Sequence, residues 1–378
     1  DVVSLVPARF FESRPGQPDF DGEGRPGRRV AASSVTRVQI GGRGLVPIDA
    51  VGAVVNVTAV NPSGRGFVTV WDCAGDRPTA SSLNFEAGQN VPNELVAKLG
   101  DSGELCVFTT VDMDLLVDVV GVIPAGSSLV SLVPARFFDS RPGQPDLDGD
   151  GRPGRRVGAD EVVRVQIAGR GAVAGDAVGA VVNVTAVNPS GRGFVTVWDC
   201  AGAAPTASSL NFEAGQNVPN ELVAKLSASG ELCLVSSQEA DLLVDVVGAV
   251  PTGSDLVSLS ARRLFDSRPG QPDLDGEGRP GARVAAEAVV RVRVAGRGGV
   301  PAGASGAVVN VTAVNPSGRG FVTVWDCAGD PPTASSLNFD AGRNVPNELV
   351  AKLSASGELC LVSSVETDLL VDVAGAIT

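Results

Sequence analysis

The chain has 378 residues, a formal net charge of −13, a hydrophobic fraction of 43% and neither His nor Tyr. Without His, Ser-His-Asp and Cys-His catalytic arrangements and His-bound zinc are excluded, and we expect no enzyme. The acidic balance argues against nucleic acid and anionic membrane surfaces as partners and favours divalent cations. The apolar runs are shorter than the roughly 18 residues of a membrane-spanning helix, so we expect no membrane insertion.

Three copies of one unit account for the whole sequence. The string AVVNVTAVNPSGRGFVTVWDCAG occurs unchanged three times, at residues 53–75, 180–202 and 307–329, with an offset of 127 residues. This period exceeds that of solenoid repeats and matches the size of an independent domain. We therefore predict three domains, at residues 1–127, 128–254 and 255–378.

Each copy has the pattern of a β-protein. In chain order, SLVPARFF, RVQI, GAVVNVTAV, GFVTVWDC, SSLNF, NELVAKL, ELCVFTT and DLLVDVVGVI are short, mostly Val-rich segments bounded by Gly, Pro, Asn or Asp. Eight such strands per copy predict an all-β fold of three tandem antiparallel β-sandwich domains, jelly-roll or immunoglobulin-like. The short joints IPAGSS and VPTGSD predict a stiff, close-set array, with a compact three-fold arrangement as the alternative.

The loop after the first strand alternates carboxylates and glycines, as in PDLDGDGRPG. Calcium prefers several oxygen ligands, and closely spaced acids separated by glycines suit a loop that wraps one ion. An EF-hand is rejected because Val30, Val157 and Val284 stand where its bidentate Glu belongs. The predicted calcium ligands are Asp19, Asp21 and Glu23, Asp146, Asp148 and Asp150, and Asp273, Asp275 and Glu277.

This loop has further candidate partners and an alternative interpretation. An acid upstream could complete the calcium site, namely Glu12, Asp139 or Asp266 in the three copies. The alternative is a solvated turn whose side chains bond their own backbone. In that case Arg25, Arg28 and Arg29 would partly neutralise the acids of the first copy.

Two cysteines occur in each copy, 33 residues apart. The repeat favours one bridge per copy, and paired cysteines without a CxxC motif indicate an oxidising compartment. The predicted disulfides are Cys73–Cys106, Cys200–Cys233 and Cys327–Cys360. Strand periodicity places Trp71 on the same face as Cys73, so we expect the ring to pack on the disulfide in the core.

Several polar residues lie inside apolar strands. An unpaired buried carboxylate is costly, so we expect Asp118, Asp245 and Asp372 to meet Arg9, Arg136 and Arg263, respectively. Asn56 begins a formal glycosylation sequon, but its mid-strand position favours a cross-strand hydrogen bond over a glycan. Asn84, Asn90 and Asn93 are interpreted as turn residues or as a polar rim for sugar.

The segments SLVPARFFDSRPG, AVVNVTAVNPSGRGFVTVW, SSLNFEAGQNVPNELVAKL and DLLVDVVGAV together resemble a β-domain repeat of secreted and cell-surface proteins from actinobacteria and other high-GC bacteria. The resemblance covers nearly all of every copy, although the acidic insert QPDLDGDGRPG departs from the usual pattern. It implies an exported β-domain without a catalytic residue. We therefore expect a secreted or cell-surface chain whose signal peptide has been removed or lies outside this segment.

These features predict a non-catalytic extracellular structural or adhesive protein, stabilised by calcium and disulfides. It would act as a surface stalk or as the subunit of a filament built by head-to-tail self-association. The alternative is a calcium-assisted glycan-binding module, with a cell-surface glycan as its partner. Both hypotheses place calcium in the acidic loops, as a structural ion in the first and near the bound sugar in the second.

Calcium should raise the midpoint of thermal unfolding, because a filled loop stabilises the folded state alone. We expect the weak affinity of extracellular modules, with Kd of about 10⁻⁴–10⁻³ M. Melting curves with millimolar calcium and with EDTA test this prediction, and magnesium serves as the ionic-strength control. Equal midpoints in calcium and EDTA would refute a calcium site.

Overall fold

A computed structural model of the chain describes residues 2–17, 19, 27–148, 154–271, 273–274 and 281–378. Each repeat contributes eight strands, which overlap the eight predicted segments with small differences in their ends. In the first repeat they are β1 (Val3–Glu12), β2 (Ser34–Gln39), β3 (Gly52–Val60), β4 (Gly66–Trp71), β5 (Leu83–Phe85), β6 (Asn90–Lys98), β7 (Glu104–Thr109) and β8 (Asp114–Ile123).

The strands of the other repeats follow the same plan. In the second repeat they are β9 (Val130–Asp139), β10 (Val162–Gln166), β11 (Gly179–Val187), β12 (Gly193–Trp198), β13 (Leu210–Phe212), β14 (Asn217–Lys225), β15 (Glu231–Ser236) and β16 (Asp241–Val250). In the third they are β17 (Leu256–Asp266), β18 (Val289–Arg293), β19 (Gly306–Val314), β20 (Gly320–Trp325), β21 (Leu337–Phe339), β22 (Val345–Lys352), β23 (Glu358–Ser363) and β24 (Asp368–Ile377).

The strands of each repeat form two antiparallel sheets of four strands, so the described chain contains six such sheets. In the first repeat one sheet has the order β1-β8-β3-β6, and we call it and its counterparts the inner sheets. The other has the order β2-β7-β4-β5, and we call it and its counterparts the outer sheets. The edge strand β2 alternates half-buried and exposed residues before the buried Val38, whereas β3 is buried along almost its whole length.

Burial on both faces of β3 has a simple structural origin. Val55 and Val57 point into a core enclosed by the two sheets of their own repeat. Val54 points the other way, into a second core that is shared by all three repeats. This central core contains five residues from each repeat: Val2, Val54, Val96, Val120 and Ile123; Leu129, Val181, Val223, Val247 and Val250; and Leu256, Val308, Val350, Ala374 and Ile377.

The all-β class is therefore confirmed, but the prediction of three tandem β-sandwich domains is wrong. Six four-stranded sheets form one body in which the repeats share the central core. Strands β6, β14 and β22 contact one another in all three pairings, so the third repeat closes onto the first. A continuous apolar strand can hide both faces from water only if a neighbour covers the second one, and here the neighbour is another repeat.

A single repeat should assemble into a homotrimer. Residues 128–254 alone would expose the apolar side chains that otherwise meet in the central core, including Val181 and Val223. Near-identical copies can rebuild the closed ring, because an interface that closes after three steps in one chain also closes between chains. Size-exclusion chromatography with light scattering measures the mass.

The matched control is Val181→Asp in the same fragment, which places a charge in the central core and should abolish the trimer. A folded fragment that stays monomeric without this substitution would contradict the closed-ring arrangement.

Candidate functional site at the axis between the repeats

Side chains from the inner sheets link the repeats in a closed cycle. Asn183 Nδ2 donates to Ser81 O of the first repeat at 2.7 Å, and Asn310 Nδ2 donates to Ser208 O of the second at 2.9 Å. Asn56 Nδ2 closes the cycle by donating to Ser335 O at 2.8 Å. The sequon asparagines are therefore buried and hydrogen-bonded, but the expected cross-strand bond is wrong, because each side chain donates to a serine carbonyl of another repeat.

Three buried glutamates lie where β6, β14 and β22 meet. Each carboxylate accepts a hydrogen bond from a backbone N–H of another repeat, and each of these three bonds is 2.5 Å long. Glu221 accepts from Val96, Glu348 from Val223, and Glu94 from Val350. The three bonds form a cycle like that of the asparagines, so the glutamates surround a pseudo-three-fold axis.

The surroundings of these glutamates favour the neutral acid. Burial raises the pKa of Glu94 to about 8 and that of Glu348 to about 8, against the smaller lowering effect of the backbone hydrogen bonds. Burial also raises the pKa of Glu221 well above its ordinary value, and the charges of Glu94 and Glu348 add to the increase. At neutral pH the axis therefore holds mainly uncharged carboxyl groups.

The same axis opens into a cavity at the beginning of β6 and β14 and just before β22. Its volume is about 100 Å³, several times the roughly 10–15 Å³ that one water occupies by the same measure. All three repeats line it with equivalent segments, residues 89–92, residues 216, 218 and 219, and residues 343–346. Asn211, Phe212, Asn338 and Phe339 complete much of the wall.

Arginines at the rim of the cavity join one repeat to the next. Arg65 lies 3.3 Å from Glu86 of its own repeat and donates to Gly215 O of the second repeat at 3.4 Å. Arg192 and Arg319 repeat the arrangement with their own acids and with the following repeat. Arg192 lies 3.4 Å from Glu213 and donates to Gly342 O at 3.4 Å. Arg319 lies 3.7 Å from Asp340 and donates to Gly88 O at 3.0 Å.

The predicted calcium loops are only partly within the described structure. Asp21, Glu23, Asp150, Asp275 and Glu277 lie outside the described residues. The predicted ligands that are described lie at the beginning of each loop. Each loop has at least one of them close to an arginine that was not predicted as its partner. The Arg43–Asp19 distance is 3.8 Å, Arg170–Asp146 is 3.8 Å, Arg170–Asp148 is 2.5 Å and Arg297–Asp273 is 3.9 Å.

The proposed upstream ligands are also engaged by arginines. Glu12 Oε2 lies 2.6 Å from Arg9 and 2.8 Å from Arg14, and Asp139 and Asp266 have the same two partners in their repeats. Burial alone would raise the pKa of Glu12, but the hydrogen bonds and charges of Arg14 and Arg9 outweigh it and lower the pKa. Among the described residues, no group of three or more Asp, Glu or Cys is placed to hold a metal, and calcium stays a prediction.

The pairing of the strand carboxylates is confirmed. Arg9 Nε donates to Asp118 Oδ1 at 2.5 Å and its Nη2 donates to Oδ2 at 3.2 Å. The equivalent forks Arg136–Asp245 and Arg263–Asp372 are present in the other repeats. A bidentate pair of this kind satisfies a buried carboxylate, so these residues stabilise the inner sheets.

The three predicted disulfides are confirmed, and Trp71 lies opposite Cys106 across the β4–β7 pair. The expected packing of the ring on the disulfide is present in the third repeat, where Trp325 clusters with Cys327 and Cys360. Trp71 is buried but lies outside the core cluster of its own repeat, and it lines a small cavity of about 20 Å³ between the first and second repeats. Trp71 Nε1 and Asn183 Oδ1 both line this cavity and have no hydrogen-bond partner among the described residues. The aromatic ring is thus part of the contact between repeats.

Sequence reasoning missed the axial glutamates and Arg343, although a signal for the glutamates was available. Glu94 and its equivalents Glu221 and Glu348 stand next to the apolar run LVA in the strand VPNELVAKL, and a buried polar residue needs a partner. Arg343 is visible as the single departure from Gln at a repeated position, where the other copies have Gln89 and Gln216.

Comparisons with known proteins give no family for the chain. No protein-family model and no curated protein matches it. One similar solved structure comes from work on the triple jelly roll fold and turret assembly of an archaeal virus, with 9% identity, a TM-score of 0.21, and 99% of this chain and 96% of that chain covered.

Two further structures have comparably low similarity. A tandem CBM22 domain of Paenibacillus barcinonensis Xyn10C has 11% identity, a TM-score of 0.19, and coverage of 66% of this chain and 100% of that one. A Sulfolobus turreted icosahedral virus structure has 8% identity, a TM-score of 0.20, and coverage of 92% and 85%. These TM-scores are too low to carry an argument about fold or function.

The axial glutamates should make stability depend on pH. Their folded-state pKa values lie above the ordinary value of 4.5, with Glu94 and Glu348 at about 8. Stabilisation is therefore complete below about pH 4.5 and is lost as pH rises towards 8, because the unfolded chain ionises first. The midpoint temperature of thermal unfolding should therefore decrease as the pH is raised from 5 to 8.5.

The triple variant Glu94→Gln, Glu221→Gln and Glu348→Gln is the matched comparison, since the amide oxygen can still accept the backbone hydrogen bond. It should have a flatter pH profile and a higher midpoint than the natural chain at pH 8.5. Parallel profiles for the two proteins would contradict the assignment of neutral carboxyl groups to the axis.

Proposed function

We propose that the protein is a non-catalytic extracellular structural and adhesive module. The observation that supports this most directly is the closed ring, in which three repeats are joined by the shared central core and by the Asn and Glu hydrogen-bond cycles. A body built in this way has little freedom to bend at the joints between repeats. Such rigidity suits a component that bears load or presents a fixed surface.

The disulfides add to this rigidity and indicate an oxidising environment. Each bridge joins residues 33 positions apart, and closing a loop of that size stabilises a fold by about 3–4 kcal/mol in the chain-entropy estimate. The described part of the chain contains no helix with the length and apolarity needed to cross a bilayer. Secretion or display at the cell surface is the location that we propose.

Ring closure limits how copies of the protein could associate. In a linear row the first and last repeats would each keep half of an interface free for another chain. Here the third repeat contacts the first through β22 and β6, so all three inter-repeat interfaces are used within one chain. A stalk or filament would then have to use other surfaces, such as the outer sheets or the acidic loops, for contacts between chains.

A calcium-assisted glycan-binding module is the second candidate function. The axial cavity favours it, because amide side chains lie beside the aromatic rings of Phe212 and Phe339. Polar groups placed on a largely apolar wall are typical of small-ligand sites. A glycan array with calcium and with EDTA tests this candidate, and binding that requires calcium would favour it over a purely structural role.

The structural proposal predicts mechanical unfolding as a single unit. Pulling the chain by its two termini in a force spectrometer should give one main rupture, because opening any repeat breaks the shared core. The comparison variant is Asn56→Ala, Asn183→Ala and Asn310→Ala, which removes the inter-repeat donors and leaves the disulfides intact. It should rupture at lower force, in separate steps.

Three equal, low-force steps in the natural chain would contradict a rigid load-bearing module. Reduction of the disulfides provides a further control, since it should lengthen the chain released at rupture without changing the number of main events.

A further inference from the structure

The axial cavity has an unusual charge for so acidic a protein. Its acids Glu213 and Asp340 are each paired with a rim arginine, Arg192 and Arg319. Arg343 also lines the cavity and is half-buried, yet within the described residues its side chain has no ion pair or hydrogen bond. The cavity therefore carries one uncompensated positive charge in a chain with a net charge of −13.

Comparison of the three repeats indicates that Arg343 is not needed to shape the loop. In the other repeats its position is held by Gln89 and Gln216, whose side-chain oxygens accept from the backbone N–H of Glu86 and Glu213 at 3.0 and 3.4 Å. A guanidinium has no acceptor and cannot make this bond. Replacing the glutamine by Arg343 therefore removes a loop-stabilising contact and adds a cation at the cavity wall.

Hydrogen-bonding groups surround this cation. Asn90 Oδ1 accepts from Asn61 N and Asn344 Oδ1 accepts from Asn315 N, and within the described residues the side-chain NH₂ groups of these asparagines have no acceptor. In Asn211 and Asn338 the NH₂ group, rather than the Oδ1 atom, is the part already engaged in a hydrogen bond. Their NH₂ groups donate to serine hydroxyls of the same loops, which leaves their Oδ1 atoms able to accept.

The remaining wall is apolar and the available space is small. Val91, Pro92, Val218 and Pro219 line it together with Phe212 and Phe339. With about 100 Å³ of room, the cavity suits a small molecule rather than a folded partner. Such a ligand would need an anionic group for Arg343, hydroxyls for the asparagines, and carbon–hydrogen surface for the apolar wall.

We propose that the axial cavity binds a small hydroxylated carboxylate of the sugar-acid class, with Arg343 as the carboxylate ligand. The ligand carboxylate accepts hydrogen bonds from the guanidinium. The ligand hydroxyls accept from the side-chain NH₂ groups of Asn90 and Asn344, and they donate to the Oδ1 atoms of Asn211 and Asn338. The neutral glutamates deeper on the axis add no opposing charge at pH 7. This site goes beyond the proposed structural role and does not depend on it.

The experiment uses the full chain, with D-glucuronate as the probe and D-glucose as its neutral counterpart. Isothermal titration at pH 7 in EDTA measures affinity without calcium, and amide side-chain signals in ¹H–¹⁵N spectra locate the site. We expect glucuronate to bind and to shift the Asn90 and Asn344 signals. Glucose should bind at least about ten-fold more weakly, because a charge-assisted hydrogen bond is lost.

The decisive variant is Arg343→Gln, which installs the residue that the other two repeats already carry. It should fold with a thermal midpoint that is equal to or slightly above that of the natural chain, because Gln can restore the loop hydrogen bond, and it should lose about ten-fold or more of the glucuronate affinity. The reverse variant, Gln216→Arg, adds a second cation and should bind the dicarboxylate D-glucarate more tightly than the natural chain does. Equal glucuronate affinity in the natural chain and in Arg343→Gln, or no binding to either, would overturn the proposal.

A second experiment distinguishes two sources of a sugar-acid ligand, the end of a glycan chain and a free soluble metabolite. An oligosaccharide that ends in glucuronate should bind as well as the free acid if the natural ligand is a glycan terminus. Binding of the free acid alone assigns the site to a soluble metabolite. Inorganic phosphate serves as a competitor that lacks the sugar hydroxyls. If it binds as tightly as glucuronate and displaces it fully, the hydroxyls contribute nothing and the sugar-acid assignment is overturned. Failure of all these arms would leave the mechanical unfolding test of the structural role unaffected.

Discussion

Closure of the ring after three repeats is the constraint on which the rest of the structure depends. Each inner sheet has two apolar faces, and one repeat can cover only the face that meets its own outer sheet. The second face is removed from water only when three inner sheets meet around a common axis. Because the contacts between repeats are equivalent, the polar groups on this face satisfy one another in cycles.

Closure also explains why polar residues can be tolerated at the centre. Glu94 would be costly if buried alone, but it accepts a hydrogen bond from Val350 of another repeat, and burial keeps it protonated. Asn56 similarly donates to Ser335. These bonds are directional, so they fix the register of one repeat against the next, which the non-directional packing of valines in the central core could not do.

Symmetry between repeats makes the departures from it informative, and the third repeat departs at two positions of the cavity, one of them Asp340 in place of Glu86 and Glu213. The axial cavity repeats the same segments three times, yet Arg343 replaces the glutamines found at positions 89 and 216. A three-fold axis gives any central ligand three identical environments, and one substitution turns that into an asymmetric site. The acidic loops differ in this respect, since all three keep an arginine facing their first aspartate.

The sequence by itself determined the repeat boundaries, the strands, the disulfides and the partners of the strand aspartates, because these follow from local periodicity and from the cost of burying an unpaired charge. Only the tertiary structure decided how the repeats are arranged. The apolar runs GAVVNVTAV and DLLVDVVGVI required two covered faces, but they could not specify what covers the second. That covering surface comes from residues more than a hundred positions away, so the central core, the glutamates at the axis and the cavity with Arg343 emerged only with the ring.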